Sequence, residues 1–378
     1  MRVLLVVPHY PPELGGAELQ AQSLARELDS KGVRVTVLTR PCEHQQAVDS
    51  DRGIRIVRKL SALPLGPLWG LTYMMSTRRW TRRLSVSWDV IHNQQVGLHC
   101  CATVRVANSV HKPCLLRFAC SGPGGDLATL SQYRFGHRLL AGLRTAERFV
   151  ALTPGGATEL VRYGFAAELI RTIPNGVDLL KFTPQPWPRT ARADAVRLLF
   201  VGRLRHQKGL DLLLDALLLV EQPAHFRLRV VGDGPEMAAL RNRTQQTGLG
   251  SVVEFCGRQQ DMVAQYAWSE VVVLPSRFEG MPNVVLEAMA CARPVLGTRV
   301  DGTADLLAAG GAGWLTPSGD SALLARRLEE ITSQREHLPA KGIAGRAVVE
   351  GTHSASRIAS MYLAEYEAML AKRPAAQA

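Results

Sequence analysis

Short runs of apolar, mostly β-branched residues alternate along the chain with longer segments in which apolar residues recur at helical spacing. Apolar strands bounded by turn residues, with helices between them, are typical of parallel sheets that are covered on both faces. The alternation begins afresh near residue 196, so the sequence predicts an α/β fold with two Rossmann-like, doubly wound parallel sheets. The predicted strands are Val3–Val7, Val33–Leu38, Ile54–Val57, Val90–Ile91, Cys114–Phe118 and Phe149–Leu152, followed by Arg197–Val201, Arg227–Val231, Val252–Phe255, Val271–Leu274 and Val295–Gly297.

A proline-rich segment separates the two halves of the chain. Its prolines are Pro174, Pro184, Pro186 and Pro188. A segment so rich in proline forms neither a helix nor an inner strand, and we place a linker there that runs to about Ala195. We predict an N-terminal domain over residues 1–185 and a C-terminal domain over residues 186–352. The apolar residues of His353–Ala371 have helical spacing, so we predict a closing helix within residues 353–378.

The composition is that of an ordinary globular protein, with 46% hydrophobic and 21% charged residues, and it excludes disordered, collagen-like and wholly membrane-embedded chains. The formal net charge of +12 points towards an anionic partner such as nucleic acid, acidic lipid or phosphate. Residues 1–180 hold 22 Lys and Arg against 13 Asp and Glu, a net charge of +9, which leaves +3 for the rest of the 378 residues. The basic bias therefore belongs to the first half of the chain.

The seven cysteines include no C-x-x-C pair and no zinc-type spacing, and several lie in apolar runs. We therefore expect buried free thiols in a reducing compartment. Only five apolar residues separate Arg2 from Pro8, which is too short a run for an export signal, and no run anywhere reaches 18 apolar residues. We expect a cytoplasmic protein.

A glycine pair, Gly15 and Gly16, follows the first predicted strand and stands just before a helical segment. Glycines in this position let the backbone approach a ligand closely and aim its N–H groups at a phosphate. An ordinary turn that initiates the helix is the alternative. The chain contains no complete G-x-G-x-x-G, since Gly232-Asp-Gly234-Pro-Glu-Met237 lacks the third glycine, and a nicotinamide-dependent enzyme is therefore disfavoured.

The first predicted strand of the second half leads into a basic loop, Gly202-Arg203-Leu-Arg205-His206-Gln-Lys208-Gly209. Arginine can grip two phosphate oxygens and lysine supplies a point charge, so Arg203 and Lys208 together suit a diphosphate. A solvated basic loop is the alternative.

Two glutamates, Glu279 and Glu287, follow the apolar run Val271–Leu274. Pro282 suits the first turn of a helix that continues through Ala292. Glu279 then lies in the loop before this helix, and Glu287 lies within it. The amide groups at a helix N-terminus point towards hydroxyl or phosphate oxygens. Here those amides belong to Gly280, Met281, Asn283 and Val284.

Taken in order along nearly the whole chain, these motifs resemble glycosyltransferase family 4, whose members are retaining enzymes with the GT-B fold. The motifs are Pro-Pro-Glu-Leu-Gly-Gly-Ala-Glu18, Ile-Pro174-Asn-Gly-Val-Asp178, Gly202-Arg203 with Lys208-Gly209, Val-Gly232-Asp-Gly234-Pro, Leu-Pro275-Ser276 and the E-x7-E segment Glu279–Glu287. The resemblance implies two Rossmann-like domains that face a central cleft, with the last helix crossing back onto the first domain. It also implies a hexosyltransferase that needs no metal and no other cofactor, and the one Asp-x-Asp, Asp49-Ser-Asp51, is expected in a polar loop.

By this resemblance the donor is a nucleoside-diphosphate sugar, linked to UDP or GDP, and the C-terminal domain holds most of it. The catalytic residues would be Arg203, Lys208 and Glu279. The two cations would neutralise the leaving diphosphate, and Glu279 would face the donor sugar. Glu287 would accept hydrogen bonds from the ribose hydroxyls. The remaining donor contacts would be Gly15 and Gly16 from the other domain, together with Gly280, Met281, Asn283 and Val284.

One stretch departs from the family pattern. Many members carry a histidine near the donor sugar, after the strand that corresponds to Pro113–Phe118, and this chain has Ala119-Cys-Ser121-Gly-Pro-Gly-Gly-Asp126 there. Either a subgroup uses this glycine-rich turn differently or catalytic competence is reduced. Ser121 and Asp126 are candidates for contacts with the sugar or the acceptor, and a turn with a helix cap at Asp126 is the alternative.

An apolar stretch in the basic first half, Leu63–Met75, leads directly into Arg78-Arg79-Trp80-Thr-Arg82-Arg83. Tryptophan beside clustered arginines is attracted to an anionic membrane surface. We therefore expect a glycan or polyprenyl-diphosphate-linked saccharide as acceptor, in bacterial cell-surface polysaccharide or glycoconjugate biosynthesis, reached at the inner face of the cytoplasmic membrane. An amphipathic helix that merely covers the sheet is the alternative. The basic residues have no recognition-motif spacing, so no nucleic-acid partner is expected.

Two other functions remain open from the sequence. The missing histidine is compatible with a non-catalytic protein that binds a sugar nucleotide or acts as a scaffold. An NDP-sugar epimerase could share the fold and would need no acceptor. Loss of sugar transfer in a Glu279→Gln or Lys208→Ala variant excludes the first, and product analysis without an acceptor identifies the second.

Overall fold

The structure, a computed structural model, describes residues 1–12, 15–43, 45–64, 66–188, 195–308 and 310–372. It divides the chain into two compact units, which we call unit 1 and unit 2. Unit 1 comprises Met1–Gly176 and Ala355–Ala378, and unit 2 comprises Val177–Ser354. Each unit is built on its own sheet of mostly parallel strands, as the alternation of apolar runs and helical segments predicts.

The sheet of unit 1 is wound in both directions from its first strand. Its strands are β1 (Arg2–Val6), β2 (Arg34–Thr39), β3 (Val48–Asp51), β4 (Ile54–Arg58), β5 (Val90–Asn93), β6 (Cys114–Phe118), β7 (Arg148–Ala151) and β8 (Ile170–Thr172). They lie in the order β3-β4-β2-β1-β5-β6-β7-β8, and all neighbours are parallel except β3 and β4. The topological switch point therefore lies between β1 and β5.

Helices cover both faces of this sheet. They are α1 (Gly16–Ser30), α2 (Trp69–Arg83), α3 (Leu98–Ser109), α4 (Asp126–Ser131), α5 (Gly136–Leu143) and α6 (Pro154–Arg162). Successive residues of a strand point to opposite faces. Leu5 of β1 shares a core with Leu24 of α1, whereas Leu4 shares the other core with Tyr73 of α2 and Leu140 of α5. Thus α1 lies on one face, and α2, α3 and α5 lie on the other.

Unit 2 repeats the doubly wound arrangement with six strands in its described residues. They are β9 (Val196–Val201), β10 (Phe226–Val231), β11 (Val253–Gly257), β12 (Val271–Leu274), β13 (Val295–Thr298) and β14 (Gly313–Thr316). Its helices are α7 (Leu210–Leu219), α8 (Met237–Gln246), α9 (Met262–Trp268), α10 (Asn283–Ala290), α11 (Thr303–Ala308), α12 (Ser321–Ser333) and α13 (Leu338–Thr352). All neighbouring strands are parallel in the order β11-β10-β9-β12-β13-β14, so the switch point lies between β9 and β12.

The last helix, α14 (Ala355–Ala371), packs on unit 1. Its apolar side, which includes Tyr362 and Tyr366, joins the core on the face that α1 covers. Glu365 on the same helix forms ion pairs with Arg148 at 2.9 Å and with Arg171 at 3.2 Å. Across the described ranges, α14 included, no helix is both long and apolar enough to cross a membrane.

The boundary of the compact units falls after Gly176, earlier than the boundary that the prolines predict. The ring of Phe182 packs edge-on against Tyr266 of unit 2, with ring centres 6.0 Å apart. The carbonyl oxygens of Gln185 and Pro186 accept hydrogen bonds from the buried guanidinium of Arg293, at 3.1 and 2.7 Å. These contacts bind the first part of the predicted linker to unit 2, and the part from 189 to 194 lies outside the described residues.

The hydrophobic pattern does not predict β3, β8 or β14, because each is an edge strand with a single bonded neighbour and no continuous apolar run. The expectation that Asp49 and Asp51 lie in a polar loop is wrong, since both belong to β3. The carboxylate of Asp51 accepts hydrogen bonds from Arg26 and Gln22, each at 3.0 Å. Polar residues are common both in loops and in strands at a solvent-exposed edge of a sheet, so the sequence does not distinguish the two.

Candidate active site

Two loops of unit 2 meet at its topological switch point. One follows β9 and contains Arg203 and Lys208, and the other follows β12 and contains Glu279. Because β9 and β12 are parallel neighbours, both loops leave the sheet at the same edge. Ligands of open α/β sheets bind at such a point. The fold therefore unites the basic loop and the first glutamate that the sequence singles out.

Lys208 and Glu279 form an ion pair at this edge. The ammonium nitrogen Nζ of Lys208 donates to Oε1 of Glu279 at 2.5 Å. The Glu279 side chain is 7% exposed and that of Lys208 is 20% exposed, so the pair is largely removed from water. Opposite charges attract more strongly there than at an open surface. A ligand anion at this edge would compete with Glu279 for the ammonium group.

Ser276 donates a second hydrogen bond to the same carboxylate, and its hydroxyl is an uncharged donor. Its hydroxyl donates to Oε1 of Glu279 at 2.7 Å, and the residue is fully buried. The carbonyl oxygen of Ser276 accepts hydrogen bonds from the hydroxyls of Thr298 at 2.5 Å and Ser318 at 3.3 Å. Thr298 ends β13 and Ser318 follows β14, so two neighbouring strands help to orient the hydroxyl that holds Glu279.

A close backbone approach joins the two loops. Gly209 has a φ of +68°, and a β-carbon on it would lie 2.1 Å from the carbonyl oxygen of Pro275. Only glycine permits both the conformation and the contact. Arg277 of the second loop also pairs with Asp211, just after the first loop, at 2.6 Å. The spacing between Lys208 and Glu279 is thus built into the backbone.

Arg203 lies on the loop of Lys208 but is exposed. Within the described residues its guanidinium group makes no hydrogen bond and no ion pair. Its positive charge is therefore available to an anion from solution. An arginine and a lysine on one short loop, one open and one held by a carboxylate, can together receive a diphosphate.

Helix α10 follows Glu279 and begins at Asn283, one residue later than Pro282 predicts. Pro282 is the N-cap in an extended conformation, and the helix ends at Ala290, so the predicted extension through Ala292 is wrong. Gly280 and Met281 are buried beside Glu279, and Asn283 and Val284 form the first turn. The first turn of a helix presents backbone N–H groups along its axis, where oxygen atoms of a ligand are favoured.

Glu287 lies on α10, and Tyr266 holds its carboxylate. The hydroxyl of Tyr266, which is fully buried, donates to Oε2 of Glu287 at 2.7 Å. Burial raises the pKa of Glu287 to about 7, although the Tyr266 hydrogen bond and the charge of Lys181 act in the opposite direction. From the described part of the chain, the other oxygen, Oε1, receives no hydrogen bond. That oxygen is available to a hydroxyl of a ligand.

In unit 1, Gly15 is the N-cap of α1 and Gly16 is its first residue. The carbonyl oxygen of Gly15 accepts the first helical hydrogen bond, from the amide of Leu19 at 3.1 Å. Glu13 and Leu14 of the same motif lie outside the described residues. The turn that initiates the helix is present, and a contact of the two glycines with a diphosphate stays a prediction.

Asp126 closes the glycine-rich loop of unit 1. It opens α4, and its carboxylate accepts the backbone amide of Ala119 at 2.6 Å and that of Cys120 at 3.4 Å. Burial raises the pKa of Asp126 to about 6, against the effect of these amides. The N-cap of α4 is Gly125, without a side-chain cap hydrogen bond, so the helix cap at Asp126 that the sequence offers as an alternative is wrong, and the carboxylate binds the amides of the preceding loop instead. A contact of Asp126 with the sugar or the acceptor stays a prediction. Ser121 is half-buried in the same loop, and its contact with a sugar or acceptor stays a prediction.

Three residues of this site, Ser276, Tyr266 and Lys181, are not predicted as site residues from the sequence. Ser276 stands in a motif three residues before Glu279, so its closeness could have been inferred, but the direction of its hydroxyl could not. Tyr266 and Lys181 come from distant segments, and neither has a local signal. Their approach to Glu287 follows from the packing of α9 and of residues 177–188 within unit 2.

Two family models match the chain. The model described as "Glycosyltransferase Family 4" matches residues 14–180, and the one described as "Glycosyl transferases group 1" matches residues 195–334. The first match covers most of unit 1, and the second lies within unit 2 and includes both loops of the site.

Relatives of known description match over different lengths. The D-inositol 3-phosphate glycosyltransferase of Kineococcus radiotolerans is 30% identical over 367 residues, which cover 85% of this chain and 83% of that protein. A protein of Escherichia coli named as the colanic acid biosynthesis glycosyltransferase WcaL is 35% identical over 181 residues, 46% of this chain and 44% of its own. The chain thus spans most of the length of the Kineococcus relative and less than half the length of the Escherichia coli relative.

Solved structures resemble this one over almost all of the chain. Sucrose-phosphate synthase from Thermosynechococcus elongatus has a TM-score of 0.82 at 22% identity, covering 98% of this chain and 100% of that one. Anabaena Alr3699/HepE in complex with UDP-glucose has a TM-score of 0.77 at 20% identity, covering 97% and 100%. At such identities the likeness establishes the fold.

Proposed function

Because the chain belongs to glycosyltransferase family 4 and has the GT-B fold, we propose that it is a retaining hexosyltransferase that uses a nucleoside-diphosphate sugar. The donor is linked to UDP or GDP, and its diphosphate binds at the edge of unit 2 that carries Arg203 and Lys208. The support is the ion pair of Lys208 and Glu279 at the switch point and the exposed Arg203 on the same loop, together with the UDP-glucose bound by Anabaena Alr3699/HepE, which shares the fold.

In the proposed reaction the bond between C1 of the donor sugar and the diphosphate oxygen breaks, and C1 forms a bond with a hydroxyl oxygen of the acceptor. The hydroxyl proton passes to the departing diphosphate, which leaves as the nucleoside diphosphate. Arg203 and Lys208 stabilise the negative charge that grows on this leaving group. The acceptor hydroxyl approaches on the face from which the diphosphate leaves, so the anomeric configuration is retained.

Glu279 faces the donor sugar in this proposal. When the diphosphate takes the ammonium group of Lys208, the hydrogen bond from Ser276 keeps the carboxylate in place, and Glu279 can accept a hydroxyl of the sugar. The amides that hold further hydroxyls are those of Gly280, Met281, Asn283 and Val284. Because Arg203 and Lys208 balance the charge of the diphosphate, we propose that the reaction needs no metal and no other cofactor.

Glu287 binds the ribose of the donor in the same proposal. Tyr266 occupies Oε2, which leaves Oε1 to accept hydrogen bonds from the ribose hydroxyls. A carboxylate held in this way is already oriented before the nucleotide arrives.

The acceptor that we propose is a glycan or a lipid-linked saccharide, with polyprenyl diphosphate as the carrier. The protein then works in the cytoplasm, in peripheral contact with the inner face of the cytoplasmic membrane. The Escherichia coli relative is named for colanic acid biosynthesis, which supports a role in cell-surface polysaccharide or glycoconjugate biosynthesis.

The ion pair of Lys208 and Glu279 beside the exposed Arg203 is the observation that carries the proposal. To test it, the purified protein is incubated with labelled UDP- and GDP-hexoses and with bacterial lipid extract, with and without EDTA. We expect label in the lipid or glycan fraction, a retained anomeric configuration by NMR, and no effect of EDTA. Lys208→Ala and Glu279→Gln reduce transfer about 100-fold or more. Arg326→Ala, an exposed cation on α12, leaves it unchanged.

A second candidate is a non-catalytic protein that binds a sugar nucleotide or acts as a scaffold. The absence of a histidine between Ala119 and Asp126 favours it. It predicts that nucleotide binds while neither transfer nor donor hydrolysis occurs with any acceptor fraction. An NDP-sugar epimerase gives a new sugar nucleotide in the same assay without an acceptor. Either result contradicts the proposed transfer.

A further inference from the structure

The segment of residues 181–187 lies on unit 2 without forming a helix or a strand. Its backbone is held by two arginines of that unit. The carbonyl oxygens of Gln185 and Pro186 accept hydrogen bonds from Arg293, and that of Phe182 accepts one from Arg346 of α13 at 2.7 Å. Hydrogen bonds from charged donors are stronger than those between neutral groups. The course of the segment over unit 2 is therefore fixed although it has no secondary structure of its own.

Arg293 also joins this segment to the two helices that carry Tyr266 and Glu287. The guanidinium is fully buried, and its Nε donates to the carbonyl oxygen of Tyr266 in the last turn of α9 at 2.9 Å. Its Nη1 lies 3.4 Å from the carbonyl oxygen of Cys291, which caps the end of α10. Carbonyl groups at a helix C-terminus have no partner within the helix, and a cation is favoured there. One side chain thus connects the segment, α9 and α10.

The side chains of the segment approach Glu287 through two aromatic rings. The ammonium nitrogen of Lys181 lies 5.0 Å from the centre of the Phe182 ring, which packs edge-on against Tyr266. The hydroxyl of Tyr266 in turn donates to Glu287. Lys181 is exposed, and its charge lowers the pKa of Glu287, against the effect of burial. The lysine therefore favours the ionised form of the carboxylate.

The other titratable groups described around Glu287 are neutral or paired. Burial raises the pKa of Tyr266 well above its ordinary value and that of Cys291 to about 12, so both stay neutral near pH 7. Arg346 of α13, which packs on α10, is paired with Glu350 at 2.6 Å. Within the described ranges, Lys181 is the one charged residue that acts on the pKa of Glu287.

We propose that the 181–187 segment belongs to the donor site and that Lys181 is a positioning residue, which keeps the carboxylate of Glu287 charged for the ribose. A charged acceptor forms hydrogen bonds about twice as strong as a neutral one, so a protonated Glu287 binds the ribose hydroxyls less well. The inference rests on the proposed function, because the ribose is that of the nucleoside-diphosphate donor. Lys181 differs from Arg203 and Lys208 in that it acts through Glu287 and touches no part of the donor.

The test is a double-mutant cycle of Lys181→Gln and Glu287→Gln, in which calorimetric titration measures the binding of UDP and GDP between about pH 5.5 and 8.5. The affinity of the wild type should rise with pH through about 7, where Glu287 ionises. In Lys181→Gln this rise should occur about 0.5 pH unit higher, which lowers the affinity at pH 7 about twofold. Lys181→Arg should restore it. Lys181→Gln should have no further effect in the Glu287→Gln background.

Arg326→Gln is the matched control, because it removes one exposed cation of unit 2 from α12. It should leave both the affinity and its pH dependence as in the wild type. The phosphate of the ligand titrates equally in every sample, so only differences between the proteins are compared. The inference is overturned if Lys181→Gln weakens binding equally at every pH, or as strongly without the carboxylate of Glu287 as with it. Either result means that Lys181 contacts the nucleotide directly.

Urea unfolding without nucleotide separates this inference from the proposed function. Because the pKa of Glu287 is higher in the folded protein than in the unfolded chain, stability is lost as pH rises through 7, and Lys181 reduces that loss. Lys181→Gln should therefore unfold like the wild type at about pH 5 and at a lower urea concentration at about pH 8.5. This difference should vanish in the Glu287→Gln background.

The two measurements together give distinct outcomes. A wild type that binds nucleotide but shows no such coupling between Lys181 and Glu287 overturns the role of Lys181 and leaves the proposed function standing. Coupling in a wild type that binds neither UDP nor GDP contradicts the proposed function and, with it, the donor role of Lys181.

Discussion

At the scale of residues, the site depends on one carboxylate that two unlike donors hold. Lys208 and Ser276 both donate to Oε1 of Glu279, at 2.5 and 2.7 Å. A ligand anion can draw away the ammonium group, but the buried hydroxyl is tied through its own backbone to β13 and the end of β14. In the proposed reaction Ser276 is therefore the positioning residue that keeps Glu279 oriented while the diphosphate takes the ammonium group of Lys208.

Changing Ser276 to Ala tests this positioning role. The variant removes one hydrogen bond to a charged group, which costs about 1.5–3 kcal/mol. We expect kcat for sugar transfer to fall about tenfold or more while the donor KM changes less than about threefold, because the diphosphate contacts remain. Ser318→Ala, which touches the carbonyl oxygen of Ser276 but not Glu279, should retain kcat. Equal losses in both variants mean a general structural effect.

Changing Glu287 to Gln tests the second carboxylate through stability and binding together. Because burial raises the pKa of Glu287 to about 7, the folded protein binds a proton that the unfolded chain has released above about pH 4.5. This contribution to stability is complete at low pH and is lost as pH rises through 7. The variant should therefore be more stable than the wild type at pH 8, by on the order of 2 kcal/mol, but not at pH 4.5.

The same variant should bind UDP or GDP more weakly, since an amide oxygen is a poorer acceptor for ribose hydroxyls than a carboxylate. Urea unfolding at both pH values and calorimetric titration measure the two effects. A variant that is less stable at pH 8, or one that binds nucleotide as tightly as the wild type, contradicts the role given to Glu287.

The chemistry of individual residues is readable from local motifs, but their hydrogen bonds are not. Arg203, Lys208 and Glu279 stand beside glycines at predicted strand ends, and the fold places them at one sheet edge. The partners Tyr266 and Lys181 approach Glu287 from segments that carry no such signal. Their contacts depend on the packing of α9 and α10, which a one-dimensional pattern does not contain.

At the scale of elements, the site is a pair of loops whose separation is set by Gly209. Changing Gly209 to Ala places a β-carbon 2.1 Å from the carbonyl oxygen of Pro275, so the loops must move apart. We expect a loss of stability of more than about 2 kcal/mol and a loss of nucleotide binding. Gly248→Ala is the matched control, because Gly248 has a similar φ of +76° with nothing within 4 Å.

The control carries only the backbone cost of a left-handed alanine, about 1–2 kcal/mol. Thermal unfolding of both variants, with and without nucleoside diphosphate, compares them. If Gly209→Ala is no more destabilised than Gly248→Ala and still binds nucleotide, the close approach of the two loops is not needed for the site.

The hydrophobic pattern of the sequence predicts some strands and helices better than others. The predicted strands agree with the structure to within two residues at each end, because inner parallel strands are buried on both faces and read as apolar runs. The edge strands β3, β8 and β14 lack such runs. At α10 the pattern places the start one residue early, since Pro282 suits both the N-cap and the first turn.

At the scale of the whole molecule, buried histidines make stability depend on pH. Burial lowers the pKa of His99 to about 4 and that of His92 well below its ordinary value, where the charge of Arg117 adds to the effect. Below about pH 6.5 the two histidines bind protons in the unfolded chain but stay neutral in the folded protein. Their contribution to stability is therefore present above pH 6.5 and is lost as pH falls.

Each such histidine contributes up to about 1.4 kcal/mol per pH unit between 6.5 and its folded pKa. Asp126 and Glu287, whose pKa values are raised, increase stability as pH falls. The slope of stability against pH is therefore compared between the wild type and His99→Gln, since these two carboxyl groups contribute equally to both. Urea unfolding of the wild type and His99→Gln between pH 7 and pH 4.5 should give a steeper loss for the wild type. Parallel curves contradict the assignment of a neutral, buried His99.

The net charge of the whole chain is distributed unevenly along the sequence. The predicted basic bias of the first half resides in residues 59–146, and the proposed function assigns the diphosphate to the cations of one loop of unit 2. Composition indicates an anionic partner, but the sequence alone does not separate a diphosphate from a lipid surface. The separation comes from the fold, which places Lys208 at a switch point and the arginines of α2 on a helix surface.

The most direct measurement of the central claim is calorimetric titration of UDP and GDP into the wild type, Lys208→Ala, Arg203→Ala and Arg326→Ala. We predict that one of the two nucleotides binds the wild type and Arg326→Ala equally. Binding to Lys208→Ala and to Arg203→Ala should be about 10- to 150-fold weaker, the loss of one hydrogen bond between charged groups. Failure of both nucleotides to bind, or equal affinity of Lys208→Ala and the wild type, contradicts a diphosphate site at the edge of unit 2.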